Sequence, residues 1–154
     1  MPGEGVSTWK LRLDGSSPEL IVKGCGAATD ISPDGKYLLM TVLSARERQG
    51  IFSVALSDKT CSAVIPDVAS FLPRFSSDGK SIIYTLSERG GVAVNRQEWS
   101  GGKPAGKSLI VAQLPFAFPQ SAGGNAYDLA RDLSKIVYVR QSGQYDLYLL
   151  SSKP

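Results

Sequence analysis

One short phrase recurs along this chain at a fixed phase. Ile31-Ser32-Pro33-Asp34-Gly35-Lys36 is echoed by Phe75-Ser76-Ser77-Asp78-Gly79-Lys80 and, more faintly, by Leu129-Ala130-Arg131-Asp132-Leu133-Ser134-Lys135. From Asp34 to Asp78 is 44 positions, and from Asp78 to Asp132 is 54. A period of about 40–50 residues with a turn at one phase belongs to stacked sheet units, each too small to bury its faces alone. The Asp-Gly pair has a local reason. A tight hairpin needs positive φ at its turn, which Gly takes without steric cost. Pro33 presets φ one step earlier, and Ser32 and Ser76 are placed to bond turn backbone. In the third copy Leu133-Ser134 replaces the Gly, which predicts a looser turn, longer by one residue.

Apolar hairpin strands follow each turn: Tyr37-Leu38-Leu39-Met40-Thr41-Val42, Ser81-Ile82-Ile83-Tyr84-Thr85-Leu86 and Lys135-Ile136-Val137-Tyr138-Val139-Arg140. Between them lie strand–turn–strand units. Trp9-Lys10-Leu11-Arg12-Leu13 alternates with period two and meets Glu19-Leu20-Ile21-Val22 through Asp14-Gly15. Ile51-Phe52-Ser53-Val54-Ala55-Leu56 pairs in the same way with Ser62-Ala63-Val64-Ile65, and Val92 to Trp99 with Ser108-Leu109-Ile110-Val111. Each repeat therefore has four strands, a to d from the inside outward. A c–d pair spans 7–23, full repeats span 24–66 and 67–114, and an a–b–c set spans 125–150. The fold class is all-β, a partial β-propeller of about three and a half four-stranded antiparallel blades forming one segment over 1–154.

Repeats of the form apolar-Ser-Pro-Asp-Gly-Lys, an apolar strand, an Arg-containing loop, then a strand leading to Gly-Gly or Asp-Gly resemble TolB-like (WD-like) propeller repeats. The likeness covers nearly the whole chain. It implies a propeller portion of a larger bacterial protein, and a scaffold, sensor or binding role rather than one fixed activity. A closed ring of this kind takes about six to eight blades. Both ends here carry a c strand, so the first strand cannot simply complete the last blade. The expectation is a fragment of a longer ring or, failing that, copies that associate through unpaired blade edges.

Function classes fall away by composition. There are no histidines, which removes Ser-His-Asp, Cys-His and His-based zinc chemistry. A net charge of +3, with Lys and Arg scattered, does not mark a nucleic-acid binder. No apolar run reaches the roughly 18–20 residues of a transmembrane helix, and the N-terminus lacks a secretory signal. The compartment is thus cytoplasmic by default, or periplasmic if a longer parent is exported. Cys25 and Cys61 read as buried free thiols, with a single bridge as the alternative. No cofactor or metal is indicated.

Several motifs dissolve on inspection. The run from Leu20 to Thr29 imitates the start of a dinucleotide fingerprint, but a Pro-Asp-Gly turn follows too soon for the required helix. Ser77-Asp78-Gly79-Lys80 has the letters of a Ser-x-x-Lys nucleophile, yet that chemistry needs a helix. Asp34, Asp78 and Asp132 are explained by turn formation on separate hairpins, and Glu47 and Glu88 have no paired carboxylate. The b–c loops carry Arg46, Arg48, Arg89 and Arg140, guanidinium groups suited to an anionic ligand or an acidic protein or peptide partner. The connector 113–125 adds Phe116 and Phe118, which either contact that partner or cap the gap between blades. The expected function is non-catalytic binding. The alternative is part of a propeller-framed hydrolase or lyase whose catalytic residues lie in other blades.

Overall fold

In a computed structural model the described residues are 6–42, 49–66, 70–88, 91–115, 127–130, 132, 134–142 and 144–151. They form thirteen strands and no helix, in four antiparallel sheets. The first sheet pairs β1 (Ser7–Lys10) with β2 (Glu19–Lys23). The second runs, in order, β3 (Ala27–Ile31), β4 (Tyr37–Val42), β5 (Gly50–Ala55) and β6 (Cys61–Pro66). The third runs β7 (Ser70–Phe75), β8 (Ser81–Glu88), β9 (Gly91–Ser100) and β10 (Lys103–Leu114). The fourth has β11 (Tyr127–Leu129), β12 (Lys135–Ser142) and β13 (Gln144–Ser151). Strand order equals chain order in every sheet, the meander of a propeller blade.

The sheets stack face to face, and side-chain alternation feeds two cores from one strand. Leu39 and Met40 are neighbours in β4 and both 0% exposed, yet they belong to different cores. Met40 joins Ile21, Phe52 and Val54 between the first and second sheets. Leu39 joins Ile51, Val64, Phe75, Ile82, Tyr84 and Trp99 between the second and third. Ile83, beside Ile82, joins Val92, Val94, Leu114, Tyr127, Ile136 and Tyr138 between the third and fourth. Burial on both faces explains why β4 and β8 read as continuous apolar runs rather than alternating ones. Each such Leu or Ile contributes about 1.5–3 kcal/mol on burial.

Three expectations are corrected. Cys25 and Cys61 are a disulfide, with Cα atoms 6.3 Å apart, and not free thiols. The reason is tertiary: the connector leaving β2 folds Cys25 into the first inter-sheet core, against the start of β6. The third turn is not lengthened. Ala130 N–H donates to Lys135 O at 2.9 Å, spanning the same five residues as Ser32 N–H to Tyr37 O and Ser76 N–H to Ser81 O. Lastly, β1 ends at Lys10, where its pairing with Glu19 ends, so Leu11 and Leu13 lie beyond the strand and are exposed.

Gly35 and Gly79 take the positive φ that the hairpin turns demand, +69° and +66°. Gly79→Val is accordingly expected to destabilise by more than about 1 kcal/mol, because a β-branched residue resists that region. Urea unfolding checks it, and an unchanged midpoint would refute the turn assignment. Gly26 (φ +95°) serves a different need. A Cβ there would run into the Thr41 carbonyl and Val42, so the connector can pass β4 only with a glycine.

Candidate binding site at the inner edge

The repeated turn is a closed hydrogen-bond unit. Ser32 Oγ donates to Asp34 Oδ1 at 2.7 Å and accepts from the Lys36 and Tyr37 amides, and Asp34 Oδ1 also accepts from Lys36 N–H. Ser76 and Asp78 repeat the pattern, Ser76 Oγ donating at 2.6 Å and accepting from Ser81 N–H. In the third copy Ala130 has no hydroxyl to give. Ser134 stands in from the other side of the turn, donating to Asp132 Oδ1 through both Oγ (2.7 Å) and N–H (3.0 Å). The serine hydroxyls are the main cause, with backbone amides next, of carboxyls held below the usual range at Asp34, Asp78 and Asp132.

The sign of the pH effect follows. A carboxyl whose folded pKa is depressed contributes stability above its unfolded pKa, about 3.9, and loses it as pH falls through the folded value. Tm is therefore expected to hold from neutrality down to about pH 4 and then fall. Replacing all three aspartates with Asn should make that acid limb shallower, the remainder coming from Asp14 and Asp58, which amides of Ser16 and Thr60 also hold low. An equally steep limb in the triple variant would place the acid sensitivity elsewhere.

Neighbouring inner strands belong to different sheets, so side chains join them instead of a ladder. Phe75 N–H in β7 donates to Asp30 Oδ2 in β3 at 2.8 Å, and Arg74 Nη1 donates to Thr29 O at 2.6 Å. Thr29 Oγ1 lies 3.1 Å from Pro73 O and 3.3 Å from Leu39 O, tying both sheets. Asp30, Arg74 and Asp128 occupy one repeat phase, each just before the apolar residue that precedes the turn. All three line a cavity of about 540 Å³ at the turn end of the inner edge, with Ser32, Ser76 and Ser77 on its wall. Tyr127, which precedes Asp128 in β11, is buried in the core between the third and fourth sheets and hydrogen-bonded with Thr85. Burial pushes its phenol up to about 12, so it stays protonated. A second cavity, about 550 Å³, opens between the turns of the second and third sheets over Tyr37 and Trp99, flanked by Asp34 and Asp78.

Both cavities lie at the a–b turns, and the second also reaches the c–d turn at Ser100, Gly101 and Gly102. Arg46, Arg48, Arg89, Phe116, Phe118 and Glu47 lie outside the described residues. Arg140 is described only by its backbone, in β12 opposite Asp146 of β13. Glu88 ends β8 opposite Gly91. No helix follows Gly26, where β3 begins at once, and Ser77 to Lys80 form a turn. Among the described residues no group of three or more His, Cys, Asp or Glu could hold a metal ion. Sequence reasoning missed Asp30, Arg74 and Asp128. Their signal was the charge at one fixed phase of the repeat, visible once the three copies are aligned on Asp34, Asp78 and Asp132.

Stacked four-stranded meanders around a shared inner edge define part of a β-propeller. Its resemblance is to TolB-like propellers. Among solved structures, TolB from Acinetobacter baumannii superposes with a TM-score of 0.63 and 24% identity, over 90% of this chain and 33% of that one. A putative TolB from Agrobacterium tumefaciens gives 0.60 and 17%, over 93% and 52%. A putative 6-phosphogluconolactonase from Bacteroides uniformis gives 0.52 and 14%, over 94% and 48%. This chain thus spans a third to about half the length of these structures, and at such identities the likeness concerns the fold. No family model matches the sequence, and no curated protein does either.

Proposed function

We propose that this chain is a non-catalytic binding module of a larger propeller protein, taking a polypeptide segment at the inner-edge cavity. The observation that carries this reading is the cavity lined by Asp30, Arg74 and Asp128 at one phase of three inner strands. Carboxylates of Asp30 and Asp128 beside the Arg74 guanidinium suit a segment bearing both signs of charge, which charge-assisted hydrogen bonds orient. The nearby hydroxyls and carboxylates of Ser32, Asp34, Ser76 and Asp78 are engaged in holding turns, which favours recognition over chemistry. The arginines Arg46, Arg48, Arg89 and Arg140, with Phe116 and Phe118, are proposed to contact an acidic segment of the partner from the loop face. A disulfide such as Cys25–Cys61 persists in oxidising compartments, which supports an exported parent.

Peptides selected from a random display library against the oxidised protein test the dock. Ser77 is exposed on the cavity wall, and Ser77→Cys supplies a thiol for a bulky maleimide. Alkylation is expected to weaken peptide binding at least about tenfold. Full affinity after alkylation would remove the cavity as the dock. If binding then failed in a variant with Arg46, Arg48, Arg89 and Arg140 replaced by Ser, at unchanged Tm, the dock would move to the loop face.

A further inference from the structure

The cavity of about 550 Å³ over Tyr37 and Trp99 lies between two sheets that each have all four strands. Only residues of those two sheets and their turns line it, so its walls are set within this chain. Its size falls in the range of about 300–1,000 Å³ that small ligands occupy. The turn after β9 closes one side. There Gly102 rests directly on the Tyr37 hydroxyl and ring, where a Cβ would clash.

Two groups in this cavity lack the partners their chemistry calls for. Trp99 is only 7% exposed. Its ring meets Tyr37 and Phe75, but its indole N–H has no acceptor among the described residues. A buried indole N–H ordinarily finds one. Asp78 is the second group. Its Oδ1 accepts from Ser76 Oγ and Lys80 N–H, while its Oδ2 accepts nothing among the described residues. In the first turn the equivalent Asp34 Oδ2 has Lys36 Nζ at 3.6 Å. Lys80 and Arg96 are near enough to feel the charge of Asp78, but neither forms an ion pair with it. The charged residues lining the cavity are thus Asp34 and Lys36, already paired, and Asp78, left with an open oxygen. One unneutralised negative charge stands beside one unsatisfied donor.

We propose that this cavity binds a lysine residue of a polypeptide, its ammonium on Asp78 Oδ2 and its carbonyl accepting from the Trp99 indole. A single open carboxylate oxygen suits the point charge of an ammonium, whereas a guanidinium fork is matched by two. The apolar lysine stem covers aromatic surface of the kind Tyr37 offers. The cavity shares Ser32 and Pro33 with the inner-edge cavity, but lysine binding here does not depend on what occupies that one.

The whole oxidised chain, isotope-labelled at its tryptophans, tests this with N-acetyl-lysine methylamide as the probe. Trp9 and Trp99 are the two tryptophans, and Trp9→Phe assigns their indole signals. The Trp99 N–H resonance is expected to shift saturably to low field. The norleucine analogue lacks the ammonium and butylamine lacks the carbonyl, so each should bind at least about tenfold more weakly. Asp78→Asn keeps an acceptor for the turn while removing the charge, and should also cost about tenfold or more in affinity. Asp132→Asn, which changes the same turn position on the fourth sheet, should bind the probe as the native chain does. An unmoved Trp99 resonance would overturn the proposal. So would equal binding of either analogue, comparisons that need no variant to fold, or full affinity in Asp78→Asn.

Discussion

Replacing Cys25 and Cys61 together by Ala is expected to cost roughly 4 kcal/mol of stability, the chain-entropy value for a loop of this size. The bridge closes a separation of 36 residues, running from the connector after β2 to the first residue of β6. It also ties the first, two-stranded sheet to the second. A two-stranded sheet is marginal alone, and among the described residues Lys59 provides polar ties between β2 and the second sheet. Lys59 Nζ donates to Leu20 O at 2.8 Å and pairs with Glu19 at 3.2 Å, but both partners are exposed, so the ion pair adds little. Without the bridge, Ile21 and Cys25 no longer cap the core of Met40, Phe52 and Val54. Tm should fall by on the order of 10 °C, and exchange over residues 7–23 should rise first. Reduction of the native protein should reproduce both effects. An equal melt with and without the bridge would mean that packing alone seats the first sheet.

How much of this was legible beforehand depends on the range of the cause. The turns were, because Gly35 and Gly79 answer a local demand for positive φ and the Ser and Asp beside them close bonds within a few residues. The strand Tyr37–Val42 was also legible, since burial on two faces leaves an unbroken apolar run. The third turn lacks the extra residue expected where Leu133-Ser134 replaces the Gly. Its length is set by the closure from Ala130 to Lys135, and Ser134 replaces the bonding that Ser32 and Ser76 provide from the other side. Cys25 and Cys61 carry no mark of their pairing, because only the stacking of the first two sheets brings them together. The register breaks of β10, between Ala105 and Leu109 and between Ile110 and Ala112, were equally invisible, for they depend on Gln97 and on the Tyr84–Ser108 hydroxyl pair at 2.8 Å.

The site divides in the same way. Asp30, Arg74 and Asp128 are three letters at one phase, but no local pattern tells a surface charge from one aimed along an inner edge. Arginines recurring between strands, as at Arg46, Arg48, Arg89 and Arg140, are conspicuous in sequence. The charges that meet a cavity are those one residue before the consensus apolar position, where strands of separate sheets converge.

Trp99→Ala is expected to lose about 3–5 kcal/mol, the range for removing a buried large aromatic side chain. Trp99 sits near the end of β9, where the cavity over Tyr37 narrows to the core between the second and third sheets. Its ring meets Tyr37 at 5.6 Å between centroids and 82° between planes, and Phe75 at 5.7 Å and 68°. Tyr37 belongs to the second sheet and Phe75 to the third, so one side chain spans the joint. Edge-to-face pairs of this kind add about 0.5–1.5 kcal/mol each beyond buried area. Trp99→Phe keeps an aromatic ring but shortens its reach, and should recover more than half of the loss. If sheets were held mainly by their own ladders, Ala would cost little more than Phe. Thermal melts of the two variants separate these cases: a large, graded loss assigns the stability of the arc to contacts between sheets.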